Sequence, residues 1–78
     1  MTEKSHVAAP VAGKVMDIRV HEGDQVSKGQ VLVVFEAMRM ENDLVSSREG
    51  VISRIYVENG DIVDTGTVLL DYRRQALS

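Results

Sequence analysis

An internal repeat constrains this chain more than any other feature of its sequence. When the sequence is shifted by 37 residues, residues 13–33 align without a gap to residues 50–70, and nine of the 21 aligned positions are identical. Unrelated segments of this composition would share about one or two identities. The chain is therefore two copies of one unit, and a two-fold rotation is the simplest relation between them.

The composition excludes several classes of protein. The 78 residues can bury only a modest core, and the absence of cysteine rules out disulfides, thiolate metal sites and a thiol nucleophile. The net charge is −3 and the nine lysines and arginines are scattered, so no nucleic-acid partner is expected. The apolar run at 31–35 is too short to insert into a membrane. We expect a monomeric cytoplasmic protein, or a domain excised from a larger one.

Both copies have the features of β-strands. Branched residues recur at matched positions, and matched glycine turns at 21–24 and 58–61 separate them. No segment has a convincing helical period. We predict an all-β, flattened eight-stranded barrel of two four-stranded sheets, spanning residues 5–73 between tails at 1–4 and 74–78. The predicted strands are residues 5–9, 13–20, 25–27, 31–37, 41–47, 50–57, 62–64 and 67–72.

The apolar run from Val31 to Phe35 lacks alternation. This pattern indicates a strand that is covered on both faces or that crosses between sheets. The matching run, Val68 to Leu70, is shorter and ends at Asp71. It predicts that the second copy is less well buried at this point.

The junction between the copies is the candidate site. Extended outward, the repeat pairs residues 4–36 with 41–73 and leaves only Ala37, Met38, Arg39 and Met40 without a counterpart. A two-fold sandwich places this segment in a tight reversal at one edge of the domain. The methionine spacing alone favours side chains that close the end of the core, with Arg39 in solvent. The alternative is an exposed docking surface for a partner.

Residues 36–42, Glu-Ala-Met-Arg-Met-Glu-Asn, resemble the Glu-Ala-Met-Lys-Met signature of biotinyl domains, the biotin carboxyl carriers. The Ala-Pro-x-x-Gly opening at 9–13, both Gly-Asp turns and both Gly-x-Val-Leu runs fit the same family. The resemblance covers nearly all of residues 5–72. It implies a barrel-sandwich hybrid fold with the modified residue in the turn between the fourth and fifth strands. The inserted thumb of some carriers is missing, so the thumbless type fits.

The resemblance also implies a cofactor and partners. In this family a biotin protein ligase attaches biotin to the central lysine, and the biotin arm then swings between biotin carboxylase and carboxyltransferase sites. The carrier itself is not catalytic. Position 39 would be the attachment point, with Ala37, Met38 and Met40 around it, and Glu36 and Glu41 would assist recognition by the ligase.

The chain departs from the family at the attachment point itself. Arg39 stands where the family has lysine, and a guanidinium is too poor a nucleophile to accept biotin. Three explanations are open: an engineered substitution, a natural unmodified paralogue that acts as a binding or regulatory module, or an unusual acceptor. We favour the first, because the other residues of the signature are retained. A lipoyl-type carrier remains an alternative, although methionine on both sides argues against it.

Other candidate sites have simpler explanations. Asp24 and Asp61 could suggest a cation site, but their position after glycine in matched turns favours hydrogen bonds to the backbone. His6 and His21 lack a third ligand at a suitable spacing, so no metal site is predicted. A carboxylate pair at 36 and 41 more often keeps a strand end soluble than serves as an acid–base pair.

Overall fold

The computed structural model describes residues 5–73, in which all of the regular structure is β-strand. The predicted all-β architecture with eight strands is therefore confirmed. The tails predicted at 1–4 and 74–78 lie outside the described residues. The strands are β1 (His6–Ala8), β2 (Gly13–Ile18), β3 (Gln25–Val26), β4 (Val31–Ala37), β5 (Met40–Val45), β6 (Gly50–Ile55), β7 (Ile62–Val63) and β8 (Val68–Tyr72).

The sheet topology follows the sequence repeat. One sheet has the strand order β1-β8-β6-β3 and the other has the order β5-β4-β2-β7, with antiparallel pairing throughout. The repeat relates β1 to β5, β2 to β6, β3 to β7 and β4 to β8, and this exchange converts one sheet order into the other. Each sheet thus takes two strands from each copy. The two-fold relation predicted from the repeat is present in the fold.

The matched turns are held in the same way. The backbone N–H of His21 donates to Asp24 Oδ2 over 2.8 Å, and the N–H of Glu58 donates to Asp61 Oδ2 over 2.9 Å. Each aspartate thus satisfies a donor within its own turn, as predicted from its position after glycine. Both carboxylates are accounted for by turn structure.

Each copy also supplies a side chain to the other copy. The Ile18 N–H donates to Asn59 Oδ1 over 2.8 Å, and the Ile55 N–H donates to Glu22 Oε2 over 3.0 Å. These positions are equivalent under the repeat, so the contacts form a reciprocal pair. They satisfy backbone donors at the ends of β2 and β6, beyond which the sheet pairing stops.

The core lies between the inner faces of the two sheets. It includes pairs of consecutive buried residues, Leu32 with Val33 and Leu69 with Leu70, beside register shifts in the pairing of β4 with β5 and of β8 with β1. A bulge lets neighbouring residues face the same side, which explains the missing alternation. The prediction that the second copy is less well buried here was wrong, because its two leucines are 0% exposed. The buried apolar residues are Ala9, Val15, Val20, Val26, Leu32, Val33, Phe35, Ala37, Ile52, Val63, Leu69, Leu70 and Tyr72.

Most strands are shorter than predicted. The strand at 13–20 ends at Ile18 and the strand at 50–57 ends at Ile55, although Val20 beyond the first is buried. A branched apolar residue indicates burial and not a strand as such. Here the buried residue, Val20, lies in the connection after the strand. Similarly, β5 ends at Val45 because Ser46 turns inward, where its hydroxyl and that of Tyr72 lie 2.7 Å apart.

Candidate functional site

The junction between the copies forms a two-residue hairpin turn. Ala37 and Met40 are the last paired residues of β4 and β5, and only Met38 and Arg39 lie between them. Their φ angles are 54° and 65°. Positive φ at both central positions is the requirement of a type I′ hairpin turn, whose twist matches that of the flanking strands.

This turn places ordinary side chains where glycine is preferred. The left-handed conformation costs about 1–2 kcal/mol for a residue with a Cβ. Elsewhere in the described chain, positive φ angles occur only at glycines, in the four matched turns. Met38 and Arg39 thus occupy the two turn positions at which a type I′ hairpin prefers Asn and Gly. Backbone strain of this kind is concentrated at functional sites, which makes Met38 and Arg39 candidate functional residues.

The two methionines project into solvent. Met38 is 87% exposed and Met40 is 65% exposed. The prediction that they close the end of the core was wrong, and the alternative of an exposed surface agrees with the structure. Ala37, only 7% exposed, is the last core residue on this hairpin.

The charged residues of the tip are free of ion pairs with the rest of the described chain. Arg39, Glu36 and Glu41 make no hydrogen bond or salt bridge through their side chains to residues 5–73. Glu36 and Glu41 stand directly opposite each other across β4 and β5. Like charges at such a pair weaken a sheet rather than stabilise it. The structure therefore leaves all three side chains available to a partner.

An open cavity lies beside the turn. Its volume is about 340 Å³, and it is bounded by the tip on one side and by β2 and β7 on the other. Small residues, two cations and one carboxylate contribute to its lining. The lining residues are Ala12, Gly13, Lys14, Glu36, Ala37, Met38, Arg39 and Ile62.

Gly13 brings β2 close beneath the tip. A Cβ atom at this position would lie 2.4 Å from the backbone oxygen of Glu36 and 2.8 Å from the ring of Phe35. No other residue fits without displacing β4. The hairpin that carries position 39 thus rests on a closely packed backbone, which gives the tip a rigid base.

The remaining candidates do not assemble into a site. No group of three or more His, Asp or Glu side chains that could hold a metal occurs in residues 5–73. His21 instead lies 3.6 Å from its turn partner Asp24. No helix long and apolar enough to cross a membrane occurs in the same part of the chain.

Together the fold and the tip define a class of protein. Two interlocked four-stranded sheets present the side chains of Met38 and Arg39 on a strained, exposed turn, a geometry that suits a carrier domain. A family model described as biotin-requiring enzyme, which covers biotin and lipoyl attachment domains, matches residues 5–71. The chain belongs to this family, and it is a biotinyl domain of the non-catalytic carrier type.

Individual relatives support this assignment. The chain is 37% identical over 65 residues to the biotin/lipoyl attachment protein of Bacillus subtilis, covering 83% of this chain and 89% of that protein. It is 39% identical over 72 residues to the biotin-dependent acyl-coenzyme A carboxylase alpha3 subunit of Mycobacterium leprae, covering 92% of this chain. The chain spans only 12% of that subunit's length.

A solved structure shows the same fold. A single-chain, multi-domain long-chain acyl-CoA carboxylase superposes with a TM-score of 0.83 at 34% identity, over 90% of this chain and 7% of that one. The description of the matching family, biotin-requiring enzyme, implies that biotin is the cofactor of this family.

Sequence reasoning found the tip but missed part of its surroundings. Ile62, which lines the cavity and is 79% exposed, was not singled out. A signal was present in the repeat, because the counterpart of Ile62 is the polar Gln25. The positive φ angles of the turn had no such signal, since neither central residue is Gly, Asn or Asp.

Proposed function

We propose that this chain is the biotin carboxyl carrier domain of a biotin-dependent carboxylase, decarboxylase or transcarboxylase, in a form that cannot be biotinylated. The observation that carries the proposal is the placement of Arg39 on the exposed type I′ turn between Met38 and Met40. The surrounding signature is retained, and only the accepting group differs. This combination favours a deliberate substitution that preserves charge and length while it blocks modification.

The chemistry of attachment explains the block. A neutral lysine amine attacks the acyl carbon of biotinyl-AMP, an amide bond forms, the bond to phosphate breaks, and AMP leaves while the amine loses a proton. The guanidinium of arginine keeps its proton and delocalises its lone pairs. Position 39 as it stands therefore does not fit a covalently attached biotin.

The rest of the domain fits the role of a carrier. With lysine at position 39, biotin would sit on a long arm above a rigid base, and its effective concentration at each enzyme site would be raised. The partners in this proposal are a biotin protein ligase, which reads Glu36, Ala37, Met38, Met40 and Glu41, and biotin carboxylase and carboxyltransferase domains. The isolated domain is proposed to be a cytoplasmic monomer.

Restoring the acceptor tests the proposal. Arg39→Lys, incubated with a biotin protein ligase, biotin and ATP, should gain the mass of one biotin. The unaltered chain is the matched control and should gain none, because Lys4, Lys14 and Lys28 lie outside the tip signature. Failure of the Arg39→Lys variant to gain mass would refute the proposal, as would modification of the unaltered chain.

Two further measurements separate the alternatives. A lipoate ligase should leave Arg39→Lys unmodified, whereas lipoylation would favour a lipoyl-type carrier. A lysine codon at position 39 of the natural gene would support an engineered substitution. An arginine codon there would favour a natural paralogue, whose binding to biotin carboxylase and carboxyltransferase subunits could then be measured directly.

A further inference from the structure

The apolar surface of the tip extends beyond the two methionines. Ile62, on the edge strand β7, is paired with Lys14 of β2 and lines the same cavity as Met38. It is 79% exposed, and Val11 and Ala12 nearby are also exposed. Large apolar side chains around a concave surface commonly mark a site of protein contact.

The internal repeat provides a control for this observation. Under the 37-residue shift, Ile62 corresponds to Gln25, and Val11 and Ala12 correspond to Arg48 and Glu49. The two copies share one backbone plan, and the second set of positions is filled by polar or charged side chains. The fold therefore does not require apolar residues at 11, 12 and 62. Their apolar character must be explained by something other than folding.

The position of the surface indicates what covers it. The turn has only two residues, so an enzyme that acts on the side chain at position 39 must also cover Met38. Met38 and Ile62 line one cavity, and the cavity has room for a side chain from the covering protein. Lys14 and Arg39, which line the cavity and are exposed, would attract a carboxylate of that protein.

We propose that Ile62, together with Ala12 and Met38, forms a docking surface for the biotin protein ligase, which inserts an apolar side chain into the cavity while it holds the residue at position 39. This inference rests on the proposed function. Ile62 does not touch the reacting atoms, so it is a specificity residue. Its loss should weaken encounter with the ligase and leave the chemical step unchanged.

Kinetics on the restored acceptor test the inference. Arg39→Lys and Arg39→Lys/Ile62→Gln are compared with a purified bacterial biotin protein ligase over a range of carrier concentrations. The second variant copies the counterpart Gln25, so its fold should be preserved, and thermal melts check this. We expect KM to rise about tenfold with kcat unchanged, which corresponds to the loss of one well-buried apolar contact.

Two matched variants complete the design. Arg39→Lys/Ile62→Leu keeps an apolar side chain and should retain the parent KM. Arg39→Lys/Gln25→Ile adds an apolar residue to the other sheet and should also match the parent. Equal KM values for Arg39→Lys with and without Ile62→Gln would overturn the inference while the proposed function stands. An equal rise in KM in the Gln25 variant would overturn it too. An Arg39→Lys variant that accepts no biotin would overturn both.

Discussion

Relieving the backbone strain at the tip should stabilise the domain. The change is Met38→Asn combined with Arg39→Gly, which supplies the residues that a type I′ turn prefers. Each left-handed residue with a Cβ costs about 1–2 kcal/mol, and the strain falls at both positions. Glycine at position 39 lowers the stability by about 0.5–1 kcal/mol, because it gives the unfolded chain more conformational freedom. The net gain is about 1–2 kcal/mol, or a rise in Tm of about 5–15 °C for a domain of this size.

Thermal melts followed by circular dichroism, with urea unfolding as a second measure, test this magnitude. Lys28→Gly is the matched control, because it removes a long cation from an exposed turn where φ is not positive. That variant should lose about 0.5–1 kcal/mol, since glycine there relieves no strain. Unchanged or reduced stability in the tip variant would refute the claim that Met38 and Arg39 are strained.

Two further predictions follow from the packing and from one hydrogen bond. Gly13→Ala should lower the free energy of unfolding by about 1–3 kcal/mol because of the clash with β4, whereas Gly50→Ala, whose Cβ would lie 3.3 Å from the Tyr72 ring, should cost less in the same urea titration. The Tyr56 hydroxyl donates to Asp71 Oδ2, and this bond raises the pKa of Tyr56 above 10.0. Since the protonated form is favoured in the folded state, the bond stabilises the fold below pH 10 and is lost as the pH rises through the higher folded pKa. An NMR titration of the tyrosine ring carbons should show this rise, and Asp71→Asn should reduce it; a Tyr56 pKa at or below 10 would contradict the role of the bond.

The sequence predicted the parts of the fold that the duplication repeats. The set of four strands and the aspartate turn each appear twice, so each copy supports the interpretation of the other. The strand at 31–37 was predicted with its observed bounds. Ends such as Ile18 were missed because Val20 is buried without being paired. A pattern of apolar residues indicates which positions contact the core. It does not distinguish a strand from the connection that follows it.

The site was predicted in position and only partly in form. The gap in the repeat located residues 37–40, because nothing in the other copy matches them. The exposure of Met38 and Met40 was not predictable from their spacing, since it depends on the three-dimensional arrangement of the two sheets around the turn. The close approach at Gly13 likewise depends on the three-dimensional path of β4. The exposure of the methionines and the close approach at Gly13 both depend on contacts between segments that are distant in the sequence.

The order of the strands has a consequence for the kinetics of folding. Among the described strands, β4 and β5 are the only consecutive pair joined in a sheet, and every other pairing connects strands with at least one further strand between them along the chain. Distant pairings require the closure of long loops and form slowly, whereas a two-residue hairpin closes at little entropic cost. We therefore expect the hairpin that presents position 39 to form early in folding. Substitutions at the tip should then alter the folding rate, and a domain assembled in this order displays position 39 on the first element to form.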